Sequence, residues 1–181
     1  CGVGTYNPNS GSNNSSSCLT ADLGHYVNQQ GRSYQTLASP GYYVDSTGAT
    51  SQTACLAGTY NPDSGSNNSS ACLAADLGYY VDQQGRSYQT LASPGYYVDS
   101  TEATSQIACL AGTYNPSSGS INSSACLVAD LGYYVSQSGR AFQTAASVGY
   151  YVDSTGATSQ TACLAGTFNP STASTSDAAC Q

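Results

Sequence analysis

The sequence predicts an all-β fold, an elongated tandem array of small disulfide-stapled β-hairpin modules that forms a solenoid-like rod with a 54-residue period. Three observations predict it. Cysteines recur at a fixed interval, a Gly-x-aromatic motif recurs ten times, and no segment has the 3.6-residue apolar period of an amphipathic helix. The repeated array is therefore the unit to interpret.

The cysteines define the long period. Their spacings alternate between 17 and 37 residues, so residues 1–54, 55–108 and 109–162 are three near-identical repeats and 163–181 begins a fourth. Eight cysteines without a His/Cys cluster point to disulfides formed in an oxidising compartment, and we expect an extracellular protein. Because the chain begins at Cys1 without a visible leader, we take it as a mature product or an excerpt of a longer array.

A shorter motif divides each repeat into three modules. The motif is a glycine, any residue and an aromatic residue, usually with a second glycine seven positions after the first. We number the modules 1 to 10 by their first glycines, which lie at positions 4, 24, 41, 58, 78, 95, 112, 132, 149 and 166.

Each module has the composition of a β-hairpin. Residues 41–55 (GYYVDSTGATSQTAC) place Tyr and Val before an Asp-Ser-Thr-Gly turn, and Thr, Ser and Gln after it. A single hairpin of this size is marginally stable, whereas stacked neighbours can share a buried face. At roughly 10 Å per layer, ten modules stacked in line would make a rod on the order of 100 Å long.

Residues 55–72 (CLAGTYNPDSGSNNSSAC) resemble the ephrin-receptor-like cysteine-rich repeat, which reads Cys-x-x-Gly-[Thr/Tyr]-[Tyr/Phe], a glycine-containing turn and a closing Cys. The resemblance extends over essentially the whole chain. It implies small disulfide-stapled β modules in an extracellular protein, and it implies no activity. Two modules in three depart from it because they lack the cysteine pair.

The register of the motif predicts which cysteines pair. An opening Cys stands three residues before the first glycine and a closing Cys fourteen after it, which predicts the pairs Cys1–Cys18, Cys55–Cys72, Cys109–Cys126 and Cys163–Cys180. The rival register begins with Cys18–Cys55 and leaves Cys1 and Cys180 unpaired.

Asparagines in the loop of the cysteine modules form glycosylation sequons of the Asn-x-Ser type. They are Asn13, Asn14, Asn67, Asn68 and Asn122, and three of them are one period apart. Glycosylation is our hypothesis for these loops, with O-linked sugar on the nearby Ser and Thr runs as an addition or a replacement. The alternative is an ordinary turn, because Asn and Ser favour turns without any modification.

Tyrosine pairs follow the first glycine in five of the six modules that lack a cysteine pair. The pairs are Tyr42–Tyr43, Tyr79–Tyr80, Tyr96–Tyr97, Tyr133–Tyr134 and Tyr150–Tyr151. Successive strand residues face opposite sides, so one ring of each pair is expected to fill the core and the other to face outward or toward a neighbour. The outward rings are candidates for packing between subunits or for binding sugar.

The few charged side chains also recur with the period. Asp22, Asp76 and Asp130 stand in ADLG motifs, and Asp45, Asp99 and Asp153 stand in YVDST motifs, where a turn role is favoured over calcium because no Asp-x-Asp-x-Asp spacing occurs. Arg32, Arg86 and Arg140 are expected to pair with an Asp or stack on a ring. We therefore predict no cofactor.

Composition excludes several classes of function. Charged residues make up 7% of the chain and the net charge is -7, with three basic residues, which excludes a basic nucleic-acid surface. No apolar run is long enough to span a membrane. His25 is the single histidine and is replaced by Tyr79 and Tyr133 in the later repeats, so we predict that the chain is not an enzyme.

Near-identity among the repeats favours a structural role. We expect self-association into an extracellular filament or fibril, or decoration of one, because each repeat presents the same surface and head-to-tail contacts that do not close produce filaments. The alternatives are an adhesin or receptor-ectodomain stalk that binds a partner or carbohydrate, and a spacer within a larger protein.

Overall fold

The computed structural model describes all 181 residues and consists of nine two-stranded hairpins and four short 3-10 helices. The prediction of an all-β tandem array of disulfide-stapled hairpins is confirmed. In chain order the hairpins are β1 (Thr5–Tyr6) with β2 (Leu19–Thr20), β3 (His25–Tyr26) with β4 (Thr36–Leu37), β5 (Tyr42–Tyr43) with β6 (Thr53–Ala54), β7 (Thr59–Tyr60) with β8 (Leu73–Ala74), β9 (Tyr79–Tyr80) with β10 (Thr90–Leu91), β11 (Tyr96–Tyr97) with β12 (Ile107–Ala108), β13 (Thr113–Tyr114) with β14 (Leu127–Val128), β15 (Tyr133–Tyr134) with β16 (Thr144–Ala145), and β17 (Tyr150–Tyr151) with β18 (Thr161–Ala162).

The 3-10 helices all lie in the loops of the cysteine modules, immediately before the closing cysteine. Their bounds are Ser15–Ser17, Ser69–Ala71, Ser123–Ala125 and Asp177–Ala179. Module 10 has this helix but no assigned strand. Its ends are nevertheless joined, because Phe168 and Gln181 exchange backbone hydrogen bonds of 2.8 and 2.9 Å.

A tight turn precedes each hairpin and explains why the first glycine recurs. In module 3 the Tyr42 N–H donates to the Ser39 carbonyl at 3.0 Å, which closes a four-residue turn over Pro40 and Gly41. Gly41 has a φ of 87°, the left-handed conformation that a type II turn requires at its third residue, and proline suits the second. The Ser-Pro-Gly-Tyr sequence thus specifies the turn that starts the hairpin.

Consecutive modules are joined by backbone hydrogen bonds, and the residue after each aromatic pair takes part in them. In module 3 the hairpin ladder ends at Tyr43, since the Val44 N–H donates to the Ser66 carbonyl of module 4 at 2.9 Å. Two more bonds complete this junction, Gly41 N–H to Asn61 C=O and Gly65 N–H to Ala38 C=O, both 2.7 Å. The same three bonds recur at each of the junctions between modules 1 and 10.

The core consists of small side chains at two positions per module. One lies three residues after the first glycine and is Val or Asn, and the other lies three residues before it and is Ala or Cys. The fully buried members are Val27, Val44, Val81, Val98, Val135, Val152, Asn61 and Asn115 at the first position, and Ala21, Ala38, Ala75, Ala92, Ala129, Ala146, Cys55 and Cys109 at the second.

The chain divides into two compact units. The first comprises residues 1–76, 80–90 and 101–104, and the second comprises 77–79, 91–100 and 105–181. Each unit contains the same hairpin, turn and junction bonds, and the contacts described below lie within one unit or the other. The 54-residue repeats therefore describe the sequence, whereas the two compact units describe the structure.

Candidate functional site

Disulfides close the four cysteine modules. The pairs are Cys1–Cys18, Cys55–Cys72, Cys109–Cys126 and Cys163–Cys180, each with a sequence separation of 17. The Cα–Cα distances run from 5.4 Å for Cys1–Cys18 to 5.7 Å for Cys163–Cys180, and no cysteine is free. These are the pairs that place both cysteines in one module. A full complement of disulfides is typical of proteins that mature in an oxidising compartment.

The sequon asparagines Asn14, Asn68 and Asn122 have a common structural position, since each is the N-cap of a 3-10 helix. Their Oδ1 atoms accept the backbone N–H two residues later at 3.0 Å. All three residues are exposed, as are Asn13 and Asn67 beside them. The Oδ1 atom therefore holds the loop while the residue faces solvent.

The amide nitrogens of these asparagines differ in their contacts. Asn68 Nδ2 donates to Asn67 Oδ1 at 2.8 Å, whereas the Nδ2 atoms of Asn14 and Asn122 donate to no group of the chain. In module 10 the same N-cap position is Ser176, which makes no capping bond. A modification attached to Nδ2 leaves the capping bond of Oδ1 intact.

The tyrosine pairs form a half-buried layer rather than the core. Both members of each pair are half-buried, except that Tyr150 is exposed. Tyr42 and Tyr96 cover the turn glycines two modules further along, Gly85 and Gly139, where an added Cβ would lie 2.7 and 2.6 Å from the tyrosine hydroxyl oxygen. The core is filled instead by Val, Ala, Asn and Cys, because neighbouring backbones approach too closely for rings.

Buried asparagines were not singled out by the sequence. Asn61 Nδ2 donates to the Tyr42 carbonyl and to Ser66 Oγ, both at 2.9 Å, and its Oδ1 accepts the Asp63 N–H at 3.1 Å. Asn115 makes the equivalent three bonds in the next repeat. The signal was present in the sequence, since Asn occupies in each cysteine module the position that Val occupies in the others.

The ADLG aspartates take part in a reciprocal clamp with a glutamine. Gln35 Oε1 accepts the Asp22 N–H and Gln35 Nε2 donates to Asp22 Oδ2, both at 2.7 Å. The second and third repeats have the same clamp, Asp76 with Gln89 and Asp130 with Gln143. No group of three or more His, Cys, Asp or Glu side chains is placed to hold a metal ion.

The arginines lie beside exposed aromatic rings. The guanidinium carbon of Arg32 is 5.1 Å from the Tyr34 ring centroid, and that of Arg86 is 5.8 Å from the Tyr88 ring. Arg86 also forms an ion pair with Asp82 at 3.1 Å. The third repeat places Arg140 near Phe142, whose side chain is 71% exposed. An arginine beside a tyrosine ring thus recurs in the first two repeats, and in the third Arg140 and Phe142 line the same cavity.

Shallow cavities recur beside the disulfides. Each is lined by the second tyrosine of a pair, by a closing cysteine and by a protruding leucine, namely Leu56, Leu110 or Leu164. Their volumes are about 210, 220 and 280 Å³. These cavities are the repeated concave surfaces of the array.

No protein-family model matches this chain, and no curated protein resembles it closely enough to count as a relative. The resemblance to ephrin-receptor-like repeats therefore stays a prediction from the cysteine, glycine and aromatic residues of the motif. No helix in the structure has the length and apolar character needed to cross a membrane.

Proposed function

We propose that this chain is a non-enzymatic structural protein that self-associates into an extracellular filament or fibril and carries glycans on its asparagine loops. One observation carries the proposal. The same three backbone hydrogen bonds join each pair of consecutive modules, whichever of the three module types meet there. Because the junction uses backbone atoms, it forms between modules of any type regardless of their side chains. A polymer of repeated units requires a contact of this kind.

The surface chemistry supports this role. Sixteen tyrosines and many hydroxyl and amide side chains stand in a chain with only 7% charged residues. Glycans on the exposed asparagines would add hydration that charge does not supply, and they would shield the unpaired edges of the hairpins from random association. The four disulfides and the similarity to ephrin-receptor-like repeats agree with an extracellular location.

Electron microscopy and intact-mass analysis of the oxidised, secreted protein test the proposal together. We expect filaments with a periodic axial repeat, and a mass above that of the bare 18.4 kDa polypeptide. Particles that stay monomeric and short at all concentrations would refute the filament, and a mass equal to the polypeptide would refute the glycans.

The three equivalent cavities favour a second candidate, an adhesin or receptor-ectodomain stalk that binds carbohydrate or a protein partner. Each cavity combines a tyrosine ring with hydroxyl groups, a pairing that suits the apolar and polar faces of a sugar. Titration with a panel of mono- and disaccharides, followed by NMR of the Leu56 and Leu110 methyl groups, distinguishes the two. Saturable shifts support the stalk, and unchanged spectra support the purely structural role.

A further inference from the structure

Two tyrosines of the chain are more exposed than the others. Tyr88 is 58% exposed and Tyr34 is 55% exposed, whereas the other tyrosines are half-buried, apart from Tyr150 at 37%. Tyr88 lies in the loop between β9 and β10, with modules on both sides of it, so its exposure is a property of the loop in which it stands. Tyr34 is the equivalent residue of the first repeat, 54 positions earlier.

An arginine stabilises each of these rings at the surface. The guanidinium carbon lies 5.8 Å from the Tyr88 ring centroid in Arg86 and 5.1 Å from the Tyr34 ring centroid in Arg32, which is within the range of cation–π attraction. In both pairs an arginine N–H also donates to the tyrosine hydroxyl oxygen. The hydroxyl is an acceptor in this contact, and its own O–H donates to no group of the chain. Its proton can therefore leave to solvent.

Tyrosine is the most readily oxidised side chain in these 181 residues. The sequence contains neither Met nor Trp, and every cysteine is in a disulfide, so the thiol and thioether groups that oxidants attack first are not present. Removal of one electron and the hydroxyl proton converts a tyrosine into a neutral tyrosyl radical. The unpaired electron of this radical is shared with the ring carbons ortho to the oxygen, and two such radicals couple through these carbons.

We propose that Tyr34 and Tyr88 are sites of oxidative modification, and that dityrosine bonds between them join copies of this chain. The oxidant is hydrogen peroxide, used by an extracellular haem peroxidase. One peroxide molecule takes one electron and one proton from each of two tyrosines and is reduced to two water molecules. The two radicals form one carbon–carbon bond, and each ortho hydrogen then moves to its oxygen and restores the phenol. The linked product has lost two hydrogen atoms in total.

The inference makes the proposed filament covalent. The reactivity of the two rings depends only on their exposure and chemistry, whereas the bond between copies rests on the proposed self-association. Other common cross-links are not open to this chain, because it contains no lysine and no free cysteine. Its single cross-linking chemistry under oxidising conditions is that of tyrosine.

The third repeat contains a natural comparison. Phe142 occupies the position of Tyr34 and Tyr88, is 71% exposed, and lines a cavity together with Arg140. Phenylalanine has no hydroxyl group and forms no phenoxyl radical. The third repeat should therefore present a similar surface without the reactivity, and the cross-links should come from the first and second repeats.

Two pairs of substitutions separate the exposure of a tyrosine from the number of tyrosines. Tyr34→Phe with Tyr88→Phe removes the exposed hydroxyls, and Phe142 shows that the position accepts phenylalanine. Tyr26→Phe with Tyr80→Phe is the matched control, because it removes as many tyrosines from the same two modules and both are half-buried.

Each protein is treated with a haem peroxidase and hydrogen peroxide, and the products are followed by dityrosine fluorescence and denaturing electrophoresis. The parent and the control should form covalent oligomers, whereas the variant without the two exposed hydroxyls should lose most of the dityrosine and most of the oligomers. A yield in that variant equal to the yield in the parent would overturn the proposal.

Peptide mapping of the parent protein gives a test that does not depend on a variant. Isotope-labelled and unlabelled preparations are mixed before oxidation, and linked peptides are identified by mass spectrometry. Peptides that contain Tyr34 or Tyr88, with one partner from each preparation, support the proposal. Links confined to single copies, or links mainly at the half-buried tyrosines, contradict it. Acid hydrolysates of the protein from its natural source should also contain dityrosine, and its absence there would refute the modification.

Failure of this proposal is distinguishable from failure of the filament function. If filaments form, but denaturant separates them into single chains after oxidation, the dityrosine inference is wrong and the filament function stands. If the chain forms no filaments and yet yields linked peptides from Tyr34 and Tyr88, the filament function fails and the modification sites stand.

Discussion

The Cα of Gly41 lies so close to the carbonyl oxygen of Gly85 that a Cβ at position 41 would stand 2.1 Å from it. Gly95 and Gly139 have the same relationship one repeat later, at 2.2 Å. Gly41 also has a φ of 87°, so two independent constraints require glycine there. The Gly-x-aromatic motif that divides the sequence into modules is therefore the mark of a backbone contact between modules two apart.

Replacing Gly95 by alanine should destabilise the array strongly. Left-handed backbone costs a non-glycine residue about 1–2 kcal/mol, and the clash with the Gly139 carbonyl forces a backbone shift that costs about 1–3 kcal/mol more. Urea unfolding followed by circular dichroism measures the loss. Gly149→Ala is the matched control, because Gly149 has a φ of 79° and open space around it. Equal losses of unfolding free energy in the two variants would mean that the close approach of Gly95 to the Gly139 carbonyl does not contribute to the destabilisation.

The turn residue of a module and the side chain that faces it vary together among the repeats. A Cβ at Gly65 would lie 2.7 Å from Leu37 Cδ2, and one at Gly119 would lie 2.7 Å from Leu91 Cδ1. The next equivalent turn residue, in the partial fourth repeat, is Ala173, with a φ of 55°, and the residue of the third repeat equivalent to Leu37 and Leu91 is Ala145. A smaller facing side chain thus accompanies a larger turn residue.

A double-mutant cycle on Gly65 and Leu37 tests this compensation. We expect Gly65→Ala to cost about 2 kcal/mol in the wild-type background and about 1 kcal/mol in the presence of Leu37→Ala, because the second change removes the clash and leaves only the φ strain. Thermal unfolding of the four proteins gives the coupling energy. Strict additivity of the two substitutions would show that the pairing of Ala173 with Ala145 is coincidental.

Asn61 should be required for its hydrogen bonds rather than for its volume. Asn61→Val keeps a side chain that the equivalent positions Val44 and Val81 already bury, so no large cavity or overpacking results. It removes three hydrogen bonds and leaves the Tyr42 carbonyl without its partner from Asn61, which should lower the free energy of unfolding by about 2–3 kcal/mol. Val81→Ala serves as the apolar comparison. An unchanged stability would contradict the importance of the buried amide.

Much of this fold could be predicted because the repeat makes the constraints visible. Recurrence of glycine, aromatic residue and cysteine was enough to place the hairpins, since those residue types have strong local preferences. The composition of the core could not be deduced in the same way. Tyr, the largest common side chain, was expected to fill it, yet the fully buried positions are Val, Ala, Asn and Cys.

The reason lies in contacts between modules. Val44 was expected to extend a strand, but its N–H is bonded to Ser66 of the next module, so strand length is decided by a residue 22 positions away. Likewise, the sequence alone indicates that Asn61 is a turn residue, whereas in the structure its side chain donates a hydrogen bond to the Tyr42 carbonyl of the preceding module. The conformational preferences of individual residues predict the hairpins. The packing between hairpins depends on contacts between modules, which the sequence of one module does not determine.

Two substitutions in the third sequon separate glycosylation from loop structure. Asn122→Asp keeps an oxygen for the N-cap but removes the amide that a glycan needs, and Ser124→Ala removes the sequon hydroxyl while leaving the capping bond to the Ser124 N–H. If Asn122 carries a glycan, both variants should lose the mass of one glycan and retain the unfolding midpoint of the deglycosylated parent. Intact-mass spectrometry measures the first and differential scanning calorimetry the second. Unchanged masses would show that Asn122 is only a cap.

Removing one disulfide should lower the stability of the chain without unfolding the module that the disulfide closes. Module 5 has no disulfide, yet it makes the same three junction bonds as module 4, which has Cys55–Cys72. The disulfide therefore acts mainly by restricting the unfolded chain, and a loop of 17 residues corresponds to about 3 kcal/mol in the chain-entropy description. Cys55→Ala with Cys72→Ala also leaves the core filled, because Ala75 is buried at the position equivalent to Cys55.

The double variant should thus unfold at a lower temperature but keep native-like chemical shifts outside residues 55–72. Heteronuclear NMR shows which residues change their chemical shifts, and calorimetry measures the decrease in unfolding temperature. The corresponding change in the third repeat, Cys109→Ala with Cys126→Ala, should have an effect of similar size, because Cys109 is buried to the same degree as Cys55. Loss of dispersion across neighbouring modules would instead show that the disulfide holds the module in shape, so that the cysteine modules nucleate the array.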